Sequence, residues 1–268
     1  TTSGFTPMPA NQIATGVSGT SYSDASPLMN GVTYYYIVRA VDGGNSAEET
    51  NTVQQSNAPT GPIAVGSFSD TFEGALSGGG FDNAGWTHNA ITGAVDWVFS
   101  TAQSQTPTHS WFSDSESSVS SRQLVSPSFV IQAGSTLSFF HTFAFEGSVA
   151  QCFDAGVLQT SNNGGMTWTT MPDANFTAGG HNGTVNGGFS NSLAGSRAWC
   201  AGTIGAMTQV TVNLASFNGQ TLRFRWIEGD DSSAQATGWF VDSVSMTQVG
   251  TAGVCTPSPV QLLDFEIQ

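Results

Sequence analysis

Carboxylates stand beside apolar, strand-like runs at two places that lie far apart in the chain. The two segments are Ser69-Asp-Thr-Phe-Glu-Gly74 and Gly238-Trp-Phe-Val-Asp-Ser-Val244. A carboxylate inside a folded core is costly unless it accepts hydrogen bonds or binds a cation. Segments of this kind are typical of the first and last strands of a β-sandwich, which would bring the carboxylates close together. They therefore predict a candidate cation site where the two strands meet.

Calcium is the cation whose chemistry suits such a place, because it takes six to eight oxygens from carboxylates, carbonyls and water. Period-2 alternation puts Asp242 on the same face as Val244, which predicts a side chain directed toward the core. Glu73 has the opposite parity and needs a bulge or a strand end to join Asp242. A second interpretation stays open, in which backbone N–H groups or Arg223 and Arg225 satisfy these carboxylates.

The charge balance is strongly acidic and limits the partners. Five arginines and no lysine stand against nineteen acids, which gives a formal net charge of −14 over 268 residues. We therefore do not expect nucleic acid or an anionic membrane surface as a partner, because binding to either requires a patch of basic residues on the protein. Divalent cations fit this balance, although acidity that serves only solubility is an equally simple explanation.

The composition is that of a folded β protein outside the reducing cytosol. Eighteen Phe and seven Trp supply a large core, and the abundant glycines are typical of strands joined by tight turns. No apolar run approaches the roughly 20 residues of a membrane helix. The chain does not begin with a signal peptide, so we expect a mature product or a fragment. Cys152 and Cys200 could pair in an oxidising compartment, with Cys255 as the odd thiol, or all three could be inert thiols.

Segment boundaries predict an all-β chain with a small unit, a linker, a large domain and a tail. The small unit covers residues 1–58, the linker 59–66, the large domain 67–249 and the tail 250–268. Strand-length apolar segments separated by turn residues fill the large domain. Examples are Leu124–Ile131, Thr136–Phe145, Gly156–Thr160, Gln209–Leu214 and Thr221–Ile227.

The small unit resembles the second half of a fibronectin type III domain. The residues that carry the resemblance run from Gly31 to Ala40 in the pattern Gly-x-x-Tyr-x-Tyr-x-Val-x-Ala, and further strands are expected at Thr20–Asp24 and Asn51–Gln55. The first three strands of that family are absent here. An incomplete sandwich would expose unpaired edges, so the missing half was cut away, another chain fills it, or the unit packs on the large domain.

A hairpin is predicted at Ser161-Asn-Asn-Gly-Gly-Met-Thr-Trp168, where Asn163-Gly164 is a strong turn signal. The segment resembles the Asp-box hairpin, with Asn163 in place of the aspartate. We interpret it as structural, with Trp168 folded back over the turn.

The ordered set of segments in the large domain resembles the jelly-roll domains of the MAM type. The closest resemblance is to those at the C-terminal side of secreted immune-inhibitor-A-like metallopeptidases. The segments are Asp70-x-Phe-Glu73, Gly85-Trp86, Asp96-Trp97, Ser110-Trp111, Leu124-Val-Ser-Pro127, Leu137-x-Phe-x-x-His141, Asp154-Ala-Gly-Val-Leu158, Val212-x-Leu214, Leu222-Arg-Phe-Arg225 and Gly238-Trp-Phe-Val-Asp242. The resemblance implies an antiparallel jelly-roll sandwich outside the cell, with an accessory or adhesive role.

The same resemblance implies a structural calcium (Ca²⁺) near the Phe-Glu strand and the last Asp strand. Carried over by position, the expected ligands are Glu73, Asp96, Asp114 and Asp242. A second candidate cluster consists of Glu146 and Asp154, with Asp230 and Asp231 as further members.

Catalytic motifs are not found in the sequence, which has no Gly-x-Ser-x-Gly and no His-Glu-x-x-His. His141 lies in an apolar strand and is predicted to be a core histidine. Glycan binding would need exposed aromatic rings, whereas large aromatics in such a domain are usually core. The candidate rings are Trp86, Trp97, Trp111, Trp199 and Trp226.

The tail segment Val260–Gln268 reads as a strand with no hairpin partner nearby. Our leading hypothesis is a non-catalytic extracellular binding or adhesion module, the accessory C-terminal region of a larger secreted protein, stabilised by calcium. The alternatives are a fibre subunit assembled by β-strand complementation and an accessory region of a secreted metallopeptidase. Expected partners are a cell-surface or matrix protein, a glycan or other copies of the chain, without nucleic acid and without membrane insertion.

Overall fold

A computed structural model describes residues 3–19, 22, 33–57, 65–76 and 79–251. The chain divides into two compact units, one of residues 1–64 with 252–268 and one of residues 65–251. In the first unit, strand β1 (Tyr34–Tyr36) pairs antiparallel with β2 (Gln55–Asn57), and a 3-10 turn covers Pro9–Asn11. The strands expected at Thr20–Asp24, except Tyr22, and at Val260–Gln268 lie outside the described residues. The described part contains no helix with the length and apolar character that crossing a bilayer requires.

The second unit is built almost entirely from strands. They are β3 (Val65–Asp70), β4 (Thr87–Thr92), β5 (Val98–Ser100), β6 (Ser110–Ser113), β7 (Ser120–Val125), β8 (Phe129–Ala144), β9 (Gly147–Ser148), β10 (Gln151–Cys152), β11 (Ala155–Ser161), β12 (Thr169–Thr170), β13 (Phe176–Ala178), β14 (Gly183–Thr184), β15 (Arg197–Ala198), β16 (Thr208–Asn213), β17 (Thr221–Asp230) and β18 (Gly238–Thr251). Short 3-10 turns cover Asp173–Asn175 and Ala215–Phe217.

The strands form an antiparallel jelly-roll sandwich, as the sequence predicted. One layer has the order β12-β11-β17-β7-β4. The other has the order β13-β16-β8-β18, with β3 and β6 pairing along different stretches of β18 and β5 beyond β6. A short pairing of β17 with β8 joins the two layers. The first and last strands of the unit lie side by side, because Asp70 of β3 pairs with Val244 of β18.

Aromatic and branched side chains from the two layers fill the space between them. The five tryptophans considered as glycan platforms are all buried, which confirms the core interpretation. Their rings pack mainly edge-to-face or tilted against other aromatics, as Phe139 does against Trp199 and Trp226. Trp168 lies outside this core and is partly exposed.

The predicted segment Leu124–Ile131 is two strands, which is a correction to the sequence prediction. Strand β7 ends at Val125 and β8 begins at Phe129, with Pro127 between them. Proline has no N–H to donate to a ladder, so a strand that runs through it loses a hydrogen bond. The chain turns here from one layer of the sandwich to the other.

His141 is a buried core histidine, as predicted. It is 2% exposed and its Nδ1 accepts a hydrogen bond of 3.2 Å from Trp239 Nε1. Burial, with a smaller contribution from the charge of His181, lowers the pKa of His141 to about 3. The folded state therefore holds this ring neutral.

Because the folded state keeps the His141 ring neutral, the free energy of unfolding should fall as the pH falls. The pKa of His141 is about 3 in the folded state and about 6.5 when unfolded. Its contribution is complete above pH 6.5 and is lost as the pH falls toward 3, at up to about 1.4 kcal/mol per pH unit. We expect His141→Gln to remove this slope in urea unfolding at pH 4 to 7. His88→Gln, at a partly exposed ring, is the control; equal slopes in wild type and His141→Gln would contradict the prediction.

Candidate carboxylate metal site

Three carboxylates gather at one end of the sandwich, where three strands begin or end. Glu146 follows β8, Asp154 precedes β11, and Asp231 follows β17. One carboxylate oxygen from each of the three lies within 4.8 Å of the other two. Asp154 and Asp231 are buried and Glu146 is partly buried. These three acids belong to the second cluster predicted from the sequence, whereas its fourth member, Asp230, pairs with Arg122.

Local backbone geometry brings the three acids together. The pairing of Ala155 with Gly229 places the start of β11 beside the end of β17, and the N–H of Asp231 donates to Asp154 Oδ1 at 2.8 Å. Gly147 turns the chain directly after Glu146 with φ of +100°, and a Cβ there would lie 2.2 Å from the carbonyl oxygen of Gln151. Only glycine fits this turn.

A buried arginine network lies next to the three acids. Arg122 is fully buried and donates to Glu228 Oε1 and Asp230 Oδ2, both at 2.8 Å. It also donates to the hydroxyls of Ser113 and Ser120 and to the backbone carbonyl of Asp114. Burial lowers the pKa of Arg122, but the charges of Glu228 and Asp230 outweigh this effect and raise it overall.

The carboxylates therefore outnumber the guanidinium of Arg122 at this end of the sandwich. They are Glu116, Glu146, Asp154, Glu228, Asp230 and Asp231. Burial, with the charges of Asp230 and Asp231, raises the pKa of Asp154 to about 7. Burial, followed by the charge of Asp231, also raises the pKa of Glu146. Ionised acids in this position lack enough positive charge from the protein.

The donor set fits calcium. Each Ca²⁺–O distance is about 2.4 Å, so two oxygens on one ion can be at most about 5 Å apart. The three carboxylates meet this limit. Glu146 Oε2 is buried and makes no hydrogen bond within the described part of the chain, so it has a lone pair to offer. A hard divalent cation bound by Glu146, Asp154 and Asp231 would supply the missing charge.

Two of the four calcium ligands implied by the MAM resemblance, Glu73 and Asp96, each contact the side chain of a histidine. Glu73 accepts from the backbone N–H of His109 and lies 2.8 Å from its Nδ1. Burial raises the pKa of Glu73, but the hydrogen bonds of Thr108 and His109 outweigh it and lower the pKa overall. Asp96 lies 2.9 Å from Nδ1 of His88.

Asp242 and Asp70 are satisfied by backbone N–H groups, which is the second interpretation left open from the sequence. Asp242 Oδ2 accepts from the N–H groups of Gln105 at 2.6 Å and Thr106 at 3.0 Å. Asp70 accepts five hydrogen bonds from the loop backbone, the Asn83 side-chain amide and the Trp86 ring N–H; the donors are Phe72 N, Asp82 N, Asn83 N, Asn83 Nδ2 and Trp86 Nε1. Arg223 and Arg225 do not take part in these contacts.

A bulge in β18 changes the direction of Asp242. The register with β8 shifts between Asp242 and Ser245, and Ser243 has φ of 50°. The β18 residues that belong to the main core cluster are odd-numbered just before the bulge (Trp239, Val241) and even-numbered just after it (Val244, Met246). Alternation counted across this point therefore does not give the side of the sheet that Asp242 faces, although its side chain is fully buried.

Asp114 is exposed, and only its carbonyl takes part in the Arg122 network. Within the described residues, the group of three or more possible metal ligands is Glu146 with Asp154 and Asp231, and the four ligands carried over from the resemblance form no such group.

The stretch of chain from β5 into β18 matches the model of a known protein family. The family model for Reelin subrepeat B matches residues 98–247, more than half of the chain. The chain belongs to the Reelin subrepeat B family. The matched range contains all three acids of the candidate site and Arg122.

Solved structures similar to this Reelin subrepeat B chain are other β domains at low identity. One is TmCBM61 in complex with β-1,4-galactotriose, with 9% identity, a TM-score of 0.37 and coverage of 62% of this chain and 89% of that one. A cleaved adhesin domain of Lys-gingipain from Porphyromonas gingivalis has 13% identity, a TM-score of 0.37 and coverage of 68% and 97%. Carbohydrate-binding modules from the β-sandwich superfamily have 10% identity, a TM-score of 0.36 and coverage of 83% and 86%. A search among curated proteins finds no match.

A disulfide holds a segment that packs beside β11 in this Reelin subrepeat B chain. We call residues 181–200 the flap. Cys200 of the flap is bonded to Cys152, two residues before Asp154. The flap packs on the outer face of the β11–β17 layer through a small apolar cluster. Its members are Cys152, Ala155, Val157, Val185, Leu193, Ala198, Cys200 and Ile227.

Sequence reasoning missed the role of Arg122 in this Reelin subrepeat B domain. Arg122 shares strand parity with Leu124, which is fully buried. That parity was the available signal, because a charge on the core face of a strand must have partners. The partners, Glu228 and Asp230, lie about a hundred residues further along the chain.

Proposed function

We propose that this chain is a non-catalytic, extracellular binding module whose fold is stabilised by one calcium ion. The ligands from the chain are Glu146, Asp154 and Asp231. The observation that carries the proposal is the convergence of these three carboxylates within 4.8 Å, with Glu146 Oε2 buried and without a hydrogen bond in the described part of the chain. Calcium suits all-oxygen sites of this size.

The disulfide and the acidic surface support the extracellular setting. Disulfides persist in oxidising compartments and are rare in the cytosol. Extracellular fluids also contain calcium at the concentrations that weak sites of extracellular modules require, with dissociation constants of about 10⁻⁴–10⁻³ M. An accessory position in a larger secreted protein is part of the proposal. The fibre alternative depends on the tail strand, which lies outside the described residues.

Calcium is expected to raise the unfolding temperature of the chelator-treated protein. At a calcium concentration a hundredfold above the dissociation constant, the stabilisation is about 2.7 kcal/mol. For a domain of this size, that corresponds to a rise of about 5–10 °C. The measurement is calorimetric unfolding with increasing calcium, together with direct binding by titration calorimetry. Magnesium should act more weakly, because it requires a tight octahedral set of ligands.

Matched variants decide which acids bind the ion. Asp231→Asn and Glu146→Gln should abolish most of the calcium response, whereas Asp96→Asn and Asp242→Asn should keep it. If Asp96→Asn or Asp242→Asn removes the response and Asp231→Asn does not, the ligands are those implied by the MAM resemblance. A wild-type protein with no response to 10 mM calcium would refute the calcium proposal.

A further inference from the structure

Two arginines of this acidic chain have no carboxylate partner within the described residues. Arg39 pairs with Glu48, Arg122 with Glu228 and Asp230, and Arg197 with Asp173. Arg223 and Arg225 form no such pair in the part of the chain that the structure describes. They lie two residues apart on β17, about 7 Å along the strand, and on the same face of the sheet.

Neutral groups hold Arg225 in one position. Its guanidinium carbon lies 4.6 Å from the centre of the Trp168 ring. Its Nε donates to Gln159 Oε1 at 2.7 Å, and its Nη1 donates to Gln123 Oε1 at 2.8 Å. Burial lowers the pKa of Arg225 to about 10, so the side chain keeps its charge at neutral pH. These contacts fix the position of the guanidinium group but do not neutralise its charge.

Several guanidinium donors remain available next to one another. Arg223 Nε donates to the carbonyl of Ser126 at 2.9 Å, whereas its two Nη atoms make no hydrogen bond to described residues. The same holds for Nη2 of Arg225. Both side chains are partly exposed, so these donors can reach a ligand.

The surroundings include side-chain amides on the half of the sheet face that lies outside the flap cluster. The flap covers the half that carries Val157 and Ile227. On the other half, Gln123 donates from Nε2 to Asn89 Oδ1 at 3.0 Å, across from β7 to β4. We call Arg223, Arg225, Gln123, Asn89 and Trp168 the arginine face.

We propose that the arginine face binds a carboxylated glycan, whose acid groups are held by Arg223 and Arg225. The proposal rests on the binding role proposed above and names the ligand class for it. The guanidinium fork matches a carboxylate with two parallel hydrogen bonds. Neighbouring amide groups both donate and accept, which suits the hydroxyls of a sugar.

Charge complementarity favours a sparsely charged ligand. The face offers two unpaired positive charges on a chain with a net charge of −14. The acidic side chains of the protein would repel a densely sulfated polymer. A glycan with one carboxylate for every one or two sugar rings carries fewer charges, and its carboxylates can pair with the two arginines. At 0.15 M salt the Debye length is about 8 Å, so distant acids are screened while the close contacts persist.

The test uses immobilised hyaluronan, alginate and a sialylated oligosaccharide, each beside its neutral methyl ester, at 0.15 M salt and constant calcium. Binding to at least one carboxylated probe is expected, with about tenfold or greater loss on esterification. Arg223→Gln and Arg225→Gln should each weaken that binding by about tenfold or more. Arg39→Gln, at an arginine already paired with Glu48, is the matched control. Unfolding temperatures confirm that each variant is folded.

The outcomes separate this inference from the proposed calcium role. Failure of all three acids to bind, equal binding of acid and ester, or unchanged binding by both arginine variants would overturn the inference. Exclusive binding to dextran sulfate, or to an acidic peptide in the same assay, would also overturn it. The calcium response is measured without any glycan, so it stands or falls independently. If Arg225→Gln does not fold, Arg223→Gln alone decides the result, because its Nη atoms have no partner in the described structure.

Discussion

Replacing Arg122 by methionine is expected to lower the free energy of unfolding by about 3–5 kcal/mol. The guanidinium is fully buried and is the positive charge that Glu228 and Asp230 contact directly. Without the guanidinium, the buried carboxylates of Glu228 and Asp230 lose their positively charged partner. Each must then either stay ionised in the core without that partner or take up a proton. Urea unfolding at pH 7.5 with saturating calcium measures the effect.

A second substitution and a change of pH test the stated cause. Arg122→Met with Glu228→Gln should recover part of the loss, because the double variant buries one carboxylate fewer. Burial raises the pKa of Glu228 and of Asp230 in the folded state, above the unfolded values. Lowering the pH, which protonates these carboxylates, should therefore narrow the difference between Arg122→Met and wild type. A loss below 1 kcal/mol at pH 7.5 would show that the network has little effect on stability.

Removing the disulfide is expected to cost about 4 kcal/mol, by the chain-entropy relation for a closed loop of 48 residues. The variant is Cys152→Ala with Cys200→Ala, compared with wild type in urea unfolding. The flap packs on β11 and β17 through the apolar cluster that contains both cysteines. We expect the calcium affinity to fall as well, because Cys152 lies two residues before Asp154.

Cys255→Ser is the matched control for the disulfide, because it removes the third cysteine and keeps the bonded pair. It should unfold as wild type does. Hydrogen exchange provides a second measurement, in which flap amides of the double alanine variant should lose protection before those of β8 and β18. A loss below 1 kcal/mol together with unchanged flap protection would contradict the prediction.

The proposed calcium site and the arginine face lie at different positions along β17. Glu146, Asp154 and Asp231 lie at the end where β11 begins and β17 ends. Arg223 and Arg225 lie nearer the start of β17, beyond the area that the flap covers. A metal that orders the strand ends would support the face without contacting a ligand, so loss of calcium should affect stability first.

Much of the fold was accessible from local patterns. Apolar residues with period-2 spacing marked most of the strands, and Asn163-Gly164 marked a hairpin that the structure contains between β11 and β12. In that turn, Asn163 Oδ1 accepts from the N–H of Thr167 at 3.0 Å, which explains how asparagine serves where the related motif has aspartate. These features depend on neighbours within a few residues, and such contacts are written directly in the sequence.

The same alternation patterns do not hold where the backbone is irregular. The strand break at Pro127 and the bulge at Asp242 each change which residues face the core. One residue inserted into a strand reverses every later side chain, so a parity argument cannot be carried across a bulge that has no sequence marker. The resemblances to MAM-type and fibronectin type III domains stay predictions, beside the Reelin subrepeat B membership.

The residue order by itself determined an all-β, acidic, lysine-free chain with an apolar aromatic core, and it limited the possible metal ligands to a few carboxylates. Only the tertiary structure decided which carboxylates meet, because the long-range pairing of β11 with β17 brings Asp154 and Asp231 together, and Glu146 joins them from the end of β8 in the other layer. It also decided that Arg122 has carboxylate partners, whereas Arg223 and Arg225 have none among the residues that the structure describes. Whether two charged side chains form an ion pair depends on distances of a few ångströms across the sheet, and the spacing of the residues along the chain does not give those distances.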